Sequence, residues 1–180
     1  SVFILKNTND GQFFSEATQK NYSLEKELMH PLCKGSINIR RYFVNDLTKS
    51  ILFPYKIVEG NAILLSEREL SESYPQTYQY LLDCRKILES REHGKWKHDR
   101  WYALGRSQNL TQMEQTKILT PSIAKSASFT LDTNEFYYFV GSGGGGGGGY
   151  GITLKKIHPD ESKYVLGLLN SRLLDGYLKS

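Results

Sequence analysis

Cysteine is scarce in this sequence, with Cys33 and Cys84 the only two in 180 residues, far apart and neither part of a Cys-x-x-Cys pair. That spacing gives no support to a disulfide framework or a zinc site, and it fits a reducing cytoplasm. Long apolar runs are also missing: no window approaches the roughly 18 apolar residues that a membrane span needs. A basic leader with an apolar signal core is absent from the start, "SVFILKNTNDGQFF". Because the chain opens with Ser rather than Met, it is expected to be a piece of a larger protein. The four histidines, His30, His93, His98 and His158, are scattered without ligand spacing. Neither a Gly-x-Ser-x-Gly nor a cysteine in a suggestive His or Asn context occurs, so nucleophilic catalysis has no support. With no catalytic set, metal or cofactor implied by these motifs, the sequence points first to a binding module.

What is present is an ordinary globular composition, 39% hydrophobic and 12% aromatic, sufficient for one domain with a core. The net charge of +4 and pI near 8.9 permit a nucleic-acid partner without requiring one. Distribution says more than the sum. From Arg85 to Arg106 the chain reads "RKILESREHGKWKHDRWYALGR", where basic residues outnumber acids and Trp96, Trp101 and Tyr102 are interleaved with them. Taken alone, that segment reads as a solvated helix end and loop.

The pattern predicts an α+β fold with mixed or antiparallel sheets and several packed helices. "VFIL", the turn "NTNDG" and "QFF" read as a hairpin. Ser23 is placed to cap a short helix, "LEKELMHPL", with Leu24, Leu28 and Leu32 on one face. "INIRRYFV", "SILFPYK" and "AILLS" read as strands. Ser66 and Glu69 form a capping-box signature, and Pro75 suits the first turn of a helix running to about Glu92, with Tyr78, Leu81, Leu82, Arg85 and Leu88 at helical spacing. Further strands are expected at "KILTPSIA", "SFTL", "EFYYFV" and "YGITLKKI". A last helix from Asp160 places Tyr164, Leu168, Leu169, Arg172 and Leu173 in helical register.

Two motifs mislead. The glycine run of "GSGGGGGGGYG" matches Gly-x-Gly-x-x-Gly trivially, but it leads into an alternating strand pattern rather than a helix, which argues against a dinucleotide site. "PDESK", residues 159–163, superficially resembles a nuclease motif, yet its carboxylates and lysine are contiguous where a helix begins, so capping is the better reading.

Several segments in order, "LCKGSINIRRYFV", "SILFPYK", "YPQTYQYLLDCRKILESRE", "WYALGRSQN", "TKILTPSIAKSASFTLD", "GGGGYGITLK" and "YVLGLLNSRLLDGYL", resemble one family across nearly the whole chain. It is the target recognition domain C-terminal to the methyltransferase domain of type IIG restriction-modification enzymes and related adenine-specific DNA methyltransferases. The resemblance implies a domain that selects the DNA sequence in a bacterial cytoplasm. A separate N-terminal methyltransferase domain of the same parent chain would bind S-adenosylmethionine and grip a flipped adenine with an Asn-Pro-Pro-Tyr type motif. Here that motif is missing, and "FPY", residues 53–55, keeps only a Pro-Tyr. The parent is expected to be an enzyme; this chain carries no catalytic motif.

In that light Lys95, Lys97 and Arg100 are candidates for phosphate contacts, and Arg106 and Gln108 have the donor geometry to read guanine and adenine edges. Trp101 and Tyr102 read as core anchors for the loop. Arg40 and Arg41, adjacent in an expected strand, would point to opposite faces, so at most one is expected to face DNA; Arg41 is taken as the candidate. Backbone N–H groups of Gly144, Gly145 and Gly146 would approach phosphate oxygens or a groove edge, with a disordered linker as the alternative. Two other readings stay open: a domain of a type I specificity subunit, and a protein-interaction module with no DNA partner.

Overall fold

The computed structural model describes residues 1–105, 109–134, 136–139, 148–154 and 159–179. In chain order its elements are β1 (Ile4–Asn7), β2 (Phe13–Ser15), β3 (Lys20–Tyr22), β4 (Met29–Cys33), α1 (Gly35–Asn38), β5 (Lys49–Leu52), β6 (Tyr55–Val58) and β7 (Asn61–Leu64). There follow α2 (Glu67–Ser73), α3 (Pro75–Asp83), α4 (Arg85–Glu89), α5 (Arg91–Gly94), β8 (Lys117–Pro121), β9 (Thr130–Asp132), β10 (Tyr138–Phe139), β11 (Gly149–Ile152), α6 (Pro159–Leu169) and α7 (Arg172–Lys179). The fold is α+β, and the chain divides into two compact units, residues 1–30 with 48–111 and residues 31–47 with 112–180.

In the first unit, antiparallel strands run in the order β5-β1-β2-β3, with Ile4 opposite Ile51, Lys6 opposite Phe14 and Phe13 opposite Tyr22. The β6–β7 hairpin turns through Glu59 and Gly60, both at positive φ, the two-residue geometry whose twist matches its strands. The Ser66 and Glu69 capping box is present in full, and Pro75 opens α3. Val2, Leu5, Phe53, Leu70, Tyr80, Leu81, Leu88 and Trp101 are buried in this unit's core. The Tyr80 hydroxyl donates to Val2 O at 2.6 Å and lies 3.0 Å from Ser15 Oγ, so its polar end is satisfied inside the core.

The second unit holds an antiparallel sheet in the order β11-β8-β9 and a parallel pairing of β10 with the end of β4, Tyr138 opposite Leu32. Cys33, Ile39 and Leu119 form a buried cluster joined by Val44, Leu47, Tyr137 and Phe139. Lys117 and Asp132, on paired strands β8 and β9, form a fully buried ion pair at 2.6 Å. Asp132 also accepts from the Phe136 and Tyr137 N–H groups, and Lys117 Nζ donates to Met113 O, so the two charges stitch three segments together.

Four expectations change. "LEKELMHPL" is a single 3₁₀ turn, Lys26–Leu28, followed by β4. "INIRRYFV" is not a strand: α1 is closed by Asn38, whose Oδ1 accepts from Lys34 N at 2.8 Å, and residues 40–43 then reverse the chain. The helix expected to reach Glu92 is broken at Cys84 and ends regular geometry at Glu89, because Glu92 and His93 adopt positive φ. Its inward face is Thr77, Tyr80, Leu81, Cys84 and Leu88. The last helical segment buries Ser162, Leu166 and Asn170 and leaves Tyr164, Leu168 and Leu173 exposed.

Candidate nucleic-acid interface

The basic and aromatic segment of the first unit is built on a rigid base. Trp101 is 0% exposed, and its indole N–H donates to Glu67 Oε1 at 2.9 Å. The Trp101 and Tyr78 donors outweigh burial and hold the Glu67 carboxyl below the usual carboxylate range. Tyr102 donates to Leu65 O at 2.7 Å. Both aromatics are core anchors, as expected.

Arg91, which sequence reasoning passed over, fixes the loop's other side. Its guanidinium donates to the carbonyls of Leu88, Ala103 and Trp101 and lies 3.9 Å from the Trp96 ring centre. Only a planar fork makes three such bonds while stacking on an indole. The two residues at positive φ just after it, Glu92 and His93, then turn the chain so that Lys95, Lys97 and Arg100 are exposed. None of these three cations pairs with a carboxylate among the described residues. Arg100, with Asp99, also lines an open groove of about 630 Å³ over Ala62, Ile63, Ser66 and Tyr102.

Arg41 belongs to the second unit and sits in the chain reversal, not in a strand. Its Nε donates to Ala127 O at 3.4 Å, and its Nη2 lies 3.9 Å from Asp175 Oδ2. Part of its donor capacity is therefore committed to holding the turn. The reversal itself is tight: Arg40 N donates to Phe43 O at 2.9 Å, Ile39 bridges to Val44, and Tyr42 N donates to Phe129 O at 2.9 Å. Tyr42 has φ of 72°, a left-handed backbone that costs a non-glycine residue roughly 1–2 kcal/mol.

Gly144, Gly145 and Gly146, with Arg106 and Gln108, lie outside the described residues. The last glycines of the run are described, and their need for glycine is local. A Cβ on Gly149 would meet Thr120 O at 3.0 Å, and Gly148 O accepts from both the N–H and the hydroxyl of Ser122. In the second unit the end of the glycine run, α1, the Ser122–Ala127 loop and the residue 40–43 reversal therefore converge.

The motifs that resemble catalytic ones have structural surroundings. Phe53 and Tyr55 of "FPY" are buried, and the Tyr55 hydroxyl accepts from Leu104 N at 2.8 Å, so this Pro-Tyr serves packing rather than a flipped base. Burial pushes the Cys33 thiol up to about 12 and raises Cys84 as well, which keeps both protonated and inert. "PDESK" opens α6, with Lys163 paired to Asp160 at 3.3 Å. No cluster of metal-ligating side chains occurs among the described residues, and no helix there is long and apolar enough to cross a membrane. No family model matches the chain, and no curated protein matches it.

Proposed function

We propose that this chain binds duplex DNA sequence-specifically, as the target recognition domain of a bacterial adenine-specific DNA methyltransferase of a restriction-modification system. The observation that carries the reading is the loop after α5. Its exposed cations Lys95, Lys97 and Arg100 have no carboxylate partners among the described residues, and Arg91, Trp101 and Tyr102 hold it from beneath. Fixed cations suit phosphates, which position the domain, while side chains such as Arg106 and Gln108 would read base edges. S-adenosylmethionine and the flipped adenine belong to the methyltransferase domain of the parent chain. That domain is a second partner under this proposal, and the exposed apolar residues Tyr164, Leu168, Leu173 and Tyr177 on α6 and α7 favour a polypeptide neighbour.

The test is selection from a pool of randomised duplexes at low and moderate salt, with sequencing of the bound fraction, for the wild-type chain and Arg106→Ala. Enrichment of one short motif, blurred by the substitution, is the expected result. Absence of any binding at low salt overturns the proposal and leaves a protein-interaction module.

A further inference from the structure

Tyr42 and Phe43 are aromatic side chains left 54% and 56% exposed at the tip of a braced chain reversal, with Ile37 of α1 also 56% exposed in the same unit. The brace has four parts: the Arg40 N to Phe43 O bond, the Ile39–Val44 bridge, the Tyr42 N to Phe129 O bond, and Arg41 tied to Ala127 O and Asp175. Residues 34–43 carry Lys34, Arg40 and Arg41 and no acid, and residues 121–130 carry Lys125 and no acid. The carboxylate at the base, Asp175, is already engaged by the Ala127 N–H, by Lys179 and by Arg41. Two rings presented to solvent on a braced mount where cations outnumber acids, the acids being Asp175 at the base and Asp46, suit a partner that is polyanionic outside and aromatic within.

We propose that the Tyr42-Phe43 tip is a base-stacking contact, a wedge whose ring packs against a base at a distorted step of the bound duplex. The inference rests on the duplex-binding reading above. It gives the tip a role apart from the phosphate contacts of the basic loop: stacking is independent of charge, whereas phosphate contacts set the salt dependence. The brace matters because a backbone already fixed by these bonds leaves only side-chain freedom to be lost on insertion.

The experiment compares the wild-type chain with Tyr42→Asn and Phe43→Ala. Asparagine tolerates the left-handed backbone at position 42, so that variant keeps its fold, and circular dichroism melts check both. Affinity for a labelled mixed-sequence duplex is measured by fluorescence anisotropy across a salt series, and duplexes carrying 2-aminopurine report unstacking. Each variant is expected to bind roughly 5-fold or more weakly with the salt slope unchanged, and to lose the 2-aminopurine signal of the wild type. Wild-type-like affinity in both variants, beside salt-dependent wild-type binding, overturns the wedge and leaves duplex binding standing. A reduced slope without any 2-aminopurine signal also overturns it, because the tip then touches only the backbone. If the wild-type chain binds no duplex at low salt, the duplex-binding reading falls and the wedge with it.

Discussion

Gly35 and Gly148 pack backbone against backbone: a Cβ built on Gly35 would lie 2.1 Å from the Gly148 carbonyl oxygen. In an unconstrained helix Gly→Ala gains about 1 kcal/mol, but here the added methyl meets main chain that Ser122 holds with two hydrogen bonds. Overpacking wins, so Gly35→Ala is expected to lower stability by about 1–3 kcal/mol, read from the urea midpoint.

That contact also explains part of what the sequence concealed. The β1–β2 hairpin, the Ser66 capping box and the start of α6 were legible because their signals lie within a few residues of one another. "INIRRYFV" alternates like a strand, yet Asn38 closes the turn of α1 by accepting from Lys34 N, and Gly35 seats that turn against Gly148, more than a hundred residues away. The two units, likewise, arise from contacts that composition does not encode. Of the candidate site, the expected role of Trp101 and Tyr102 as core anchors agrees with their burial. Arg91 could not be read from the sequence, since its three acceptors are backbone carbonyls with no sequence signature.

The last helices turned a face that periodicity did not foresee, and Asn170 is the cause. Its buried side-chain amide pairs with both the N–H and the carbonyl of Phe129, at 3.0 and 2.8 Å, in place of a strand neighbour. That pairing points Ser162 and Leu166 inward and leaves Leu173 83% exposed. Leu166→Ala is expected to cost about 2–5 kcal/mol and Leu173→Ala less than about 0.5 kcal/mol by thermal melting. Equal costs for the two would refute the observed orientation.

Lys117 and Asp132 make a third stability prediction. Removing one member strands the other charge in a site that is 0–1% exposed, and Lys117→Met is expected to destabilise by about 3–5 kcal/mol. Asp132→Asn can still accept from the N–H of Phe136 or Tyr137, and the double variant no longer buries a lone charge. Denaturant titrations of the two single variants and the double variant should therefore show strong non-additivity, with the double less damaged than the sum.

Acid sensitivity should trace in part to Glu25. Tyr74 provides no side-chain cap for α3, so Glu25 reaches in from another segment to accept from Gln76 N, Thr77 N and Thr77 Oγ1. Burial resists its ionisation, but these donors outweigh burial and hold the carboxyl below its ordinary value. A depressed folded-state value means that the contribution is fully present above the ordinary carboxylate range and is lost as the pH falls below it. Glu25→Ala is expected to cost about 1 kcal/mol at neutral pH and to flatten the decline in stability between neutral and strongly acidic conditions. Parallel pH profiles for variant and wild type would count against the cap.

The loop after α5 separates charge from architecture, so the proposed DNA contacts can be tested without unfolding the domain. Lys95, Lys97 and Arg100 are exposed, and changing all three to Gln should shift stability by less than about 0.5 kcal/mol. If each meets a phosphate, the slope of log affinity against log salt falls by about 0.9 per contact, roughly 2–3 for the triple variant. Arg91→Ala is expected to behave differently. Losing its bonds to Leu88, Ala103 and Trp101 frees the loop and lowers both stability and affinity, although Arg91 itself stacks on Trp96 rather than facing a phosphate. A triple variant that keeps the wild-type salt slope would move the phosphate contacts off this loop, whatever becomes of Arg91.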